Sequence, residues 1–280
     1  MAYRGLTIVA LVAAMMPGLA FADALGLAQS GSGGLEVESD NGIEWRRNEQ
    51  ILIARGNAVA TRGTSKINAD ELRALYRDKD GNTEIYRIEA EGSVVLSSDT
   101  DVARGDDAVY DLEQSVVVLT GKDLSYQTPT ETLTAEDSLE YWELDRMAVA
   151  RGNALAMAGE RRLRGSVLTA RFEAGPNGEN ELHRIDGYGD VSIRTATEFV
   201  VGDEGTYDAK TGIVTLTGSV KITRGDNQLN GDRAVVDLNT GVSRLTSNAN
   251  GTSGGSSRVR GLLVPDKEEN TAPGSPGNGN

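Results

Sequence analysis

The sequence has no cysteine, a single histidine (His183) and, beyond its N-terminus, no long apolar run. Without cysteine there are no disulfides, thiolate metal sites or cysteine nucleophiles, so an exported form of this chain must be held together by a sizeable β core. His183 sits in "ELHRIDG" beside a predicted turn, and no serine or cysteine elbow accompanies it to build a nucleophile–base pair. Carboxylates are so abundant that no particular pair is singled out for glycoside chemistry. Neither "GxxxxGK[ST]" nor a "GxGxxG" after a strand is present, so no nucleotide site is expected. Positive charge is also scarce. Against 42 Asp and Glu stand 28 Lys and Arg, a formal charge of −14 that repels nucleic acid and anionic membranes.

The two ends differ from the middle. "MAYRG" carries one positive charge, "LTIVALVAAMM" is apolar, and "PGLAFA" ends in a small-x-small site, the pattern of a secretory signal peptide cleaved after Ala22. The apolar run is interrupted by Pro17 and Gly18 and is shorter than the roughly 20 residues of a spanning helix. Removing Arg4 with that segment leaves 27 basic residues (28 − 1) and a charge of −15. Residues 23–41 are expected to be a flexible lead-in. From Thr246 the composition turns to Gly, Ser, Asn, Thr and Pro, which predicts a linker over 246–257 and a disordered tail over 266–280. Between them "RVRGLLVP", 258–265, is a candidate closing strand.

Internal repetition dominates what remains. "ARGNA" occurs at Ala54–Ala58 and again at Ala150–Ala154, and "VVLTGK" with Gly121 returns 97 positions later as "VTLTGS" with Gly218. Two tandem halves, about 42–150 and 151–245, contain six finer units opening at Gly56, Gly92, Gly121, Gly152, Gly189 and Gly218. Thirteen or fourteen positions on, each has a small residue, usually followed by an acid or hydroxyl: "INADELRALY", "ARGDDAVYD", "LTAEDSLEY", "LRGSVLTARF", "VVGDEGTYD" and "LNGDRAVVD". The two longest intervals carry the turn-like insertions "DKDGN" and "GPNGEN". Apolar residues alternate with polar ones within units, which is strand periodicity. "SKINADELRALYR" has the strongest helical look, but it aligns with five β-like copies and is read as a strand. The expectation is about twenty short antiparallel strands of usual length, stacked into an elongated array because no unit can bury its apolar face alone.

The "GxVxI" opening followed by "L/V-x-G/A-D-x-A-x-Y-D", six times in register over Gly42 to Leu245, resembles the OstA-type repeat of the LptA/OstA family of periplasmic lipopolysaccharide-transport proteins. The resemblance implies an all-β, elongated open antiparallel jellyroll whose interior holds the acyl chains of lipid A. It further implies protomers joined edge to edge, head to tail, between an LptC-like inner-membrane partner and an LptD-like outer-membrane partner. No cofactor, metal or nucleic acid is implied, and no catalysis.

The alternating faces give candidate lipid-contact residues: Val94, Leu96, Tyr110, Leu133, Leu163, Val191, Ile193, Tyr207, Val220, Ile222, Leu229 and Val236. Sheet packing alone demands the same alternation, so each is equally a plain core position. Candidate partner edges are Ile43 and Trp45 at one end and Val242 and Leu245 at the other, suited to strand addition. An anionic chain can carry an anionic glycolipid. Exposed like charges repel by about 1 kcal/mol in water, whereas each buried methylene is worth roughly 0.8 kcal/mol. Since the acyl chains leave one apolar medium for another, a passive conduit supplies no direction, and energy must enter from a partner. Two rival readings are a calcium-binding or adhesive β-solenoid, for which "SSDTD" and "GYGD" offer oxygen ligands without regular spacing, and an LptC-like subunit of the same pathway.

Overall fold

The glycines that open the units bend strands rather than end them. In the computed structural model, which describes residues 35–79, 81–176, 180–247 and 258–264, all regular structure is β. The signal-like segment and most of the Gly-rich C-terminal region lie outside the described residues. Eighteen strands form one antiparallel sheet: β1 (Glu36–Glu38), β2 (Ile43–Arg46), β3 (Ile51–Arg62), β4 (Ser65–Lys79), β5 (Asn82–Ser97), β6 (Val102–Asp111), β7 (Val116–Thr120), β8 (Leu124–Gln127), β9 (Glu131–Ala135), β10 (Ser138–Trp142), β11 (Met147–Ala158), β12 (Arg161–Ala174), β13 (Asn180–Arg194), β14 (Phe199–Asp208), β15 (Ile213–Arg224), β16 (Asn227–Asp237), β17 (Val242–Thr246) and β18 (Arg260–Leu262).

Many strands are longer than the five or six residues expected, reaching 16 in β5. The reason is local. At Gly92 (φ +81°) and Ser93 (φ +50°), two successive left-handed residues make a bulge, and the register jumps between Glu91 and Val94 without breaking the strand. The chain thus turns a corner and continues into a second arm. Matching bulges lie at Gly56–Asn57, Gly152–Asn153, Gly189–Asp190 and Gly218–Ser219.

Every row of the array therefore has a segment in each of two arms. Counting β1 with β2, β7 with β8, β9 with β10 and β17 with β18 as one row each, the eighteen strands make fourteen rows. At the usual 4.7–4.9 Å between strands this is a trough about 60 Å long. The long arm contains β2 and, for example, 71–79 of β4 and 180–188 of β13; the short arm contains β1, 65–68 of β4 and 191–194 of β13. Pairing starts at β1, which lies against β3 upstream of Gly42, where the repeat signal begins, and within the stretch expected to be flexible. It ends at β18, inside "RVRGLLVP", which pairs with β16.

The two arms face each other across a continuous apolar interior. Cross-strand pairs link that interior into unbroken lines, one residue per row. One line on the long arm runs from Ile43 through Ala54, Leu72 and Ala90 to Leu216, Ala234 and Leu245. A second runs from Trp45 through Leu52 and Ala74 to Tyr110, Tyr141, Tyr207 and Val236. On the short arm, Val37, Ala60, Ile67 and Leu96 lead to Tyr126, Leu133, Leu163, Ile193, Ile222 and Leu229. Among the described residues no strand pairs across the free edges of the two arms, so the trough has a seam.

Candidate functional site

The corner opposite the seam is set by one contact repeated along the molecule. A Cβ at Gly92 would overlap the carboxylate of Asp70 in the preceding row, and one at Gly218 would overlap Asp203. Asn41, Asp106, Asp137 and Ser166 stand in the same relation to Gly56, Gly121, Gly152 and Gly189. This is why each unit pairs a glycine with a small acid or hydroxyl further on. The acid also helps the backbone at the bulge: Lys122 N donates to Asp106 Oδ2 at 2.9 Å. Beside the corner Val94, Val191 and Val220 each lie opposite a glycine, Gly105, Gly202 and Gly231, so the arms converge tightly there.

All twelve candidate contact residues fall on the inner face, and all belong to the core or pack against it. Eleven are buried, and Leu229 is half-buried in the next-to-last row. The two arms pack directly on each other. An apolar cavity of about 10 Å³ lies among Ile67, Ile88, Leu96, Tyr110 and Val117, and another of about 20 Å³ lies among Leu163, Ile185, Val191, Ile193 and Tyr207. Each has room for about one water molecule. A larger depression of about 580 Å³ lies at the corner, lined by Lys122, Asp123, Glu136, Asn153 and Arg164, which carry both signs of charge, and floored by the core residues Leu124 and Ala135.

The long-arm lip of the seam is aromatic, which the sequence reading only half recognised. Besides Tyr110 and Tyr207 it carries Tyr76, Tyr141 and Phe172, all buried. The signal was present in the aligned units, five of which carry an aromatic residue at their last or next-to-last position. Tyr110 donates to Glu143 Oε1 at 2.9 Å, and burial, then the Glu143 charge, push its hydroxyl pKa up. The Arg62 charge, from the short-arm lip, opposes that shift. The lip backbone is equally regular: Tyr76, Leu112, Glu143, Phe172, Ala209 and Leu238 each donate an N–H to the carbonyl of Gln50, Tyr86, Ser115, Arg146, His183 and Gly212 at 2.8–2.9 Å.

The outer surface is charged and self-paired. Arg55 Nε is 2.8 Å from Glu71 and its Nη1 is 3.0 Å from Glu44, while Arg73 Nε is 2.7 Å from Glu71 and its Nη1 pairs with Glu91, forming a cross-strand ladder over β2 to β5. Such exposed pairs hold register more than they add stability. His183 Nδ1 is 3.3 Å from Glu173 Oε1, a cross-strand neighbour. Of the oxygens offered for calcium by "SSDTD" and "GYGD", Asp101 faces inward and accepts from the Tyr126 hydroxyl at 2.7 Å, and Asp190 occupies a corner bulge. Among the described residues no three His, Asp or Glu side chains converge as a metal site.

Among the described residues, no strand pairs with the outer edges of the two terminal rows. Trp45 is 56% exposed although it continues an inner line, because among the described residues no row precedes it; its indole N–H donates to Tyr76 Oη at 2.6 Å and the Arg47 guanidinium lies 4.5 Å from its ring. Ile43 is exposed for the same reason. At the other end Leu245 faces inward and packs on the core, whereas Val242 lies on the outer face and is exposed.

The chain matches the family model described as "LptA/(LptD N-terminal domain) LPS transport protein" over residues 36–137, 132–242 and 199–260. It is similar to an uncharacterised protein of Rhizobium meliloti (strain 1021), 31% identical over 102 residues. That alignment takes in 35% of this chain and 54% of the relative, so it spans about half the length of the curated protein it matches. Among solved structures it is similar to LptH of Pseudomonas aeruginosa, described as the LptA-homologous periplasmic component of the lipopolysaccharide transport device. The identity is 12%, the TM-score is 0.22, and the alignment covers 83% of this chain and 96% of that one.

Proposed function

We infer that this chain, which belongs to the LptA/LptD N-terminal-domain family of lipopolysaccharide transport proteins, is a periplasmic bridge component that shelters the acyl chains of lipid A between the inner and outer membranes. The observation that carries this reading is the apolar lining that continues row after row along the inner face, one line of it from Ile43 in the first row to Leu245 in the last, with the buried acids confined to the short-arm lip. A core built only for stability does not need to be continuous from end to end. A conduit does, because a methylene chain moving along it must find apolar contact at every step. Loading requires the lips to part, and hydrocarbon then replaces arm-to-arm contacts with contacts of similar kind.

The ends suit partners that add strands. Row one runs from the short arm to the long arm and row fourteen runs in the opposite sense, so a second copy, or a β-jellyroll partner of the LptC or LptD kind, continues the antiparallel sheet without reversing it. The protein supplies a path and no drive, and the reading includes no catalytic group. A photoreactive residue at Ile193 in cells is expected to crosslink to lipopolysaccharide, and one at Ser192, on the outer face of the same strand, is not. Crosslinking at Ser192 with none at Ile193 would remove the reading. N-terminal sequencing of the exported chain separates this role from that of an anchored subunit.

A further inference from the structure

Three turns on the short-arm lip share one design. Ser98 to Asp101, Thr128 to Glu131 and Thr195 to Glu198 each place a hydroxyl that accepts the backbone N–H of the acid three positions on, at 3.3, 3.0 and 3.0 Å. Each acid is the first inward-facing residue after its turn, followed at alternate positions by Ala103, Leu133 and Val200. All three are more than nine-tenths buried. Asp101 is satisfied, accepting from the hydroxyls of Tyr126 and Thr100 at 2.7 and 2.8 Å. Glu131 is not: neither carboxylate oxygen has a hydrogen-bond partner. Glu198 Oε1 also lacks one, and the nearest cation, the Arg224 guanidinium, is 3.8 Å away.

A carboxylate buried without partners is costly, and the remedy open to it is to keep its proton. The groups facing Glu131 are Asp101 from the turn before β6, the Tyr126 hydroxyl bound to Asp101, and Arg161 from β12. Burial, reinforced by the Asp101 charge and opposed by Arg161, moves Glu131 from 4.5 to about 7. Burial likewise raises Glu198, with Arg224 from β15 opposing.

We propose that Glu131, with Glu198 as its counterpart in the second half, is a proton latch on the seam: the uncharged carboxyl holds the short-arm lip over the closed interior, and its ionisation releases the β8–β9 hairpin from the long arm. The inference deepens the conduit reading by naming what regulates entry to it. In the open form the carboxyl meets water and returns toward its ordinary range, so opening delivers one proton to solvent. Between 4.5 and about 7 the closed form holds a proton that the open form does not. Opening therefore rises with pH across that window and levels off above it. By reciprocity, hydrocarbon that keeps the lips apart weakens the hold of Glu131 on its proton.

The chain lacks cysteine, so spin labels can be placed by Thr130→Cys on the β8–β9 turn and Leu144→Cys on the opposite lip, where Leu144 is 78% exposed. In the ligand-free full chain the label distance is expected to be single and short at pH 5, with a longer population growing at least about threefold by pH 8. Glu131→Gln should stay short at both pH values, while Glu173→Gln, on an exposed acid, should follow the parent. A parent distance indifferent to pH overturns the proposal without requiring any substitution to fold, and so does a Glu131→Gln chain that still opens. Calorimetric titration with purified lipopolysaccharide in buffers of different ionisation enthalpy is a separate arm. About one proton released per lipid at pH 6 supports the latch; binding with no proton release counts against it. Failure to bind lipid alongside a pH-dependent distance instead removes the conduit reading and leaves the latch standing.

Discussion

At Gly218 the effect of one methyl group can be worked out atom by atom. Its φ of +74° disfavours any L-side chain, and a Cβ would in addition overlap the Asp203 carboxylate. Gly81 has a similar φ, +80°, with nothing near its Cβ position. Urea unfolding should therefore find Gly218→Ala costlier, at about 2–3 kcal/mol, than Gly81→Ala at about 1 kcal/mol. In an Asp203→Gly background the cost of Gly218→Ala should fall to about 1 kcal/mol, because only the backbone strain remains. Glu131 allows a second prediction. Its folded pKa lies above its unfolded one, so its stabilising contribution is complete below 4.5 and lost as pH rises through about 7. The parent chain should lose about 1–2 kcal/mol over that range relative to Glu131→Gln, read from unfolding midpoints at stepped pH. Equal pH profiles would mean that the carboxyl finds a partner in solution.

Strands carry the information about partners. Following the pairing across all rows, Ile43 in β2 and Leu245 in β17 lie on the same inner line, at the same height in the trough. If copies join with the line unbroken, a chain carrying Ile43→Cys and Leu245→Cys should form intermolecular disulfides in high yield, whereas Glu44→Cys with Leu245→Cys should not, since Glu44 faces outward. Comparable yields from both pairs would exclude a sheet continued in register. The strands also mark what the sequence could and could not say. Alternation identified the inner face, because burial on one side only imposes a period of two, and Val191, Ile193, Val220 and Ile222 are all where that logic puts them. It mistook strand lengths, because a glycine that bends a strand at Gly92 and one that ends a hairpin at Gly63 look alike in one dimension. The buried acids have a related reason: "TPTE" and "TATE" look like polar turns, and only the register of the lip turns, fixed by the Thr128 and Thr195 hydroxyls, aims their last residue inward. Tyr76 and Phe172 lie beyond the regular period, on the two longest hairpins, where pairing slips at Leu75/Tyr76 and Arg171/Phe172.

For the molecule as a whole, fourteen rows predict a slender particle. Small-angle scattering should report a body about 60 Å long, and a head-to-tail dimer should double that length with an unchanged cross-section. Side-by-side association would thicken it instead. The alternation of glycine and acid along the corner has a further consequence for how such a molecule can change size. Inserting a single strand would set two rows of the same kind against each other and reverse the direction of everything downstream, so only whole hairpins are admissible. Growth is therefore quantised in increments of roughly 10 Å, and any lineage adapting this chain to a wider gap must lengthen it the way one extends a ladder with rungs sold in pairs.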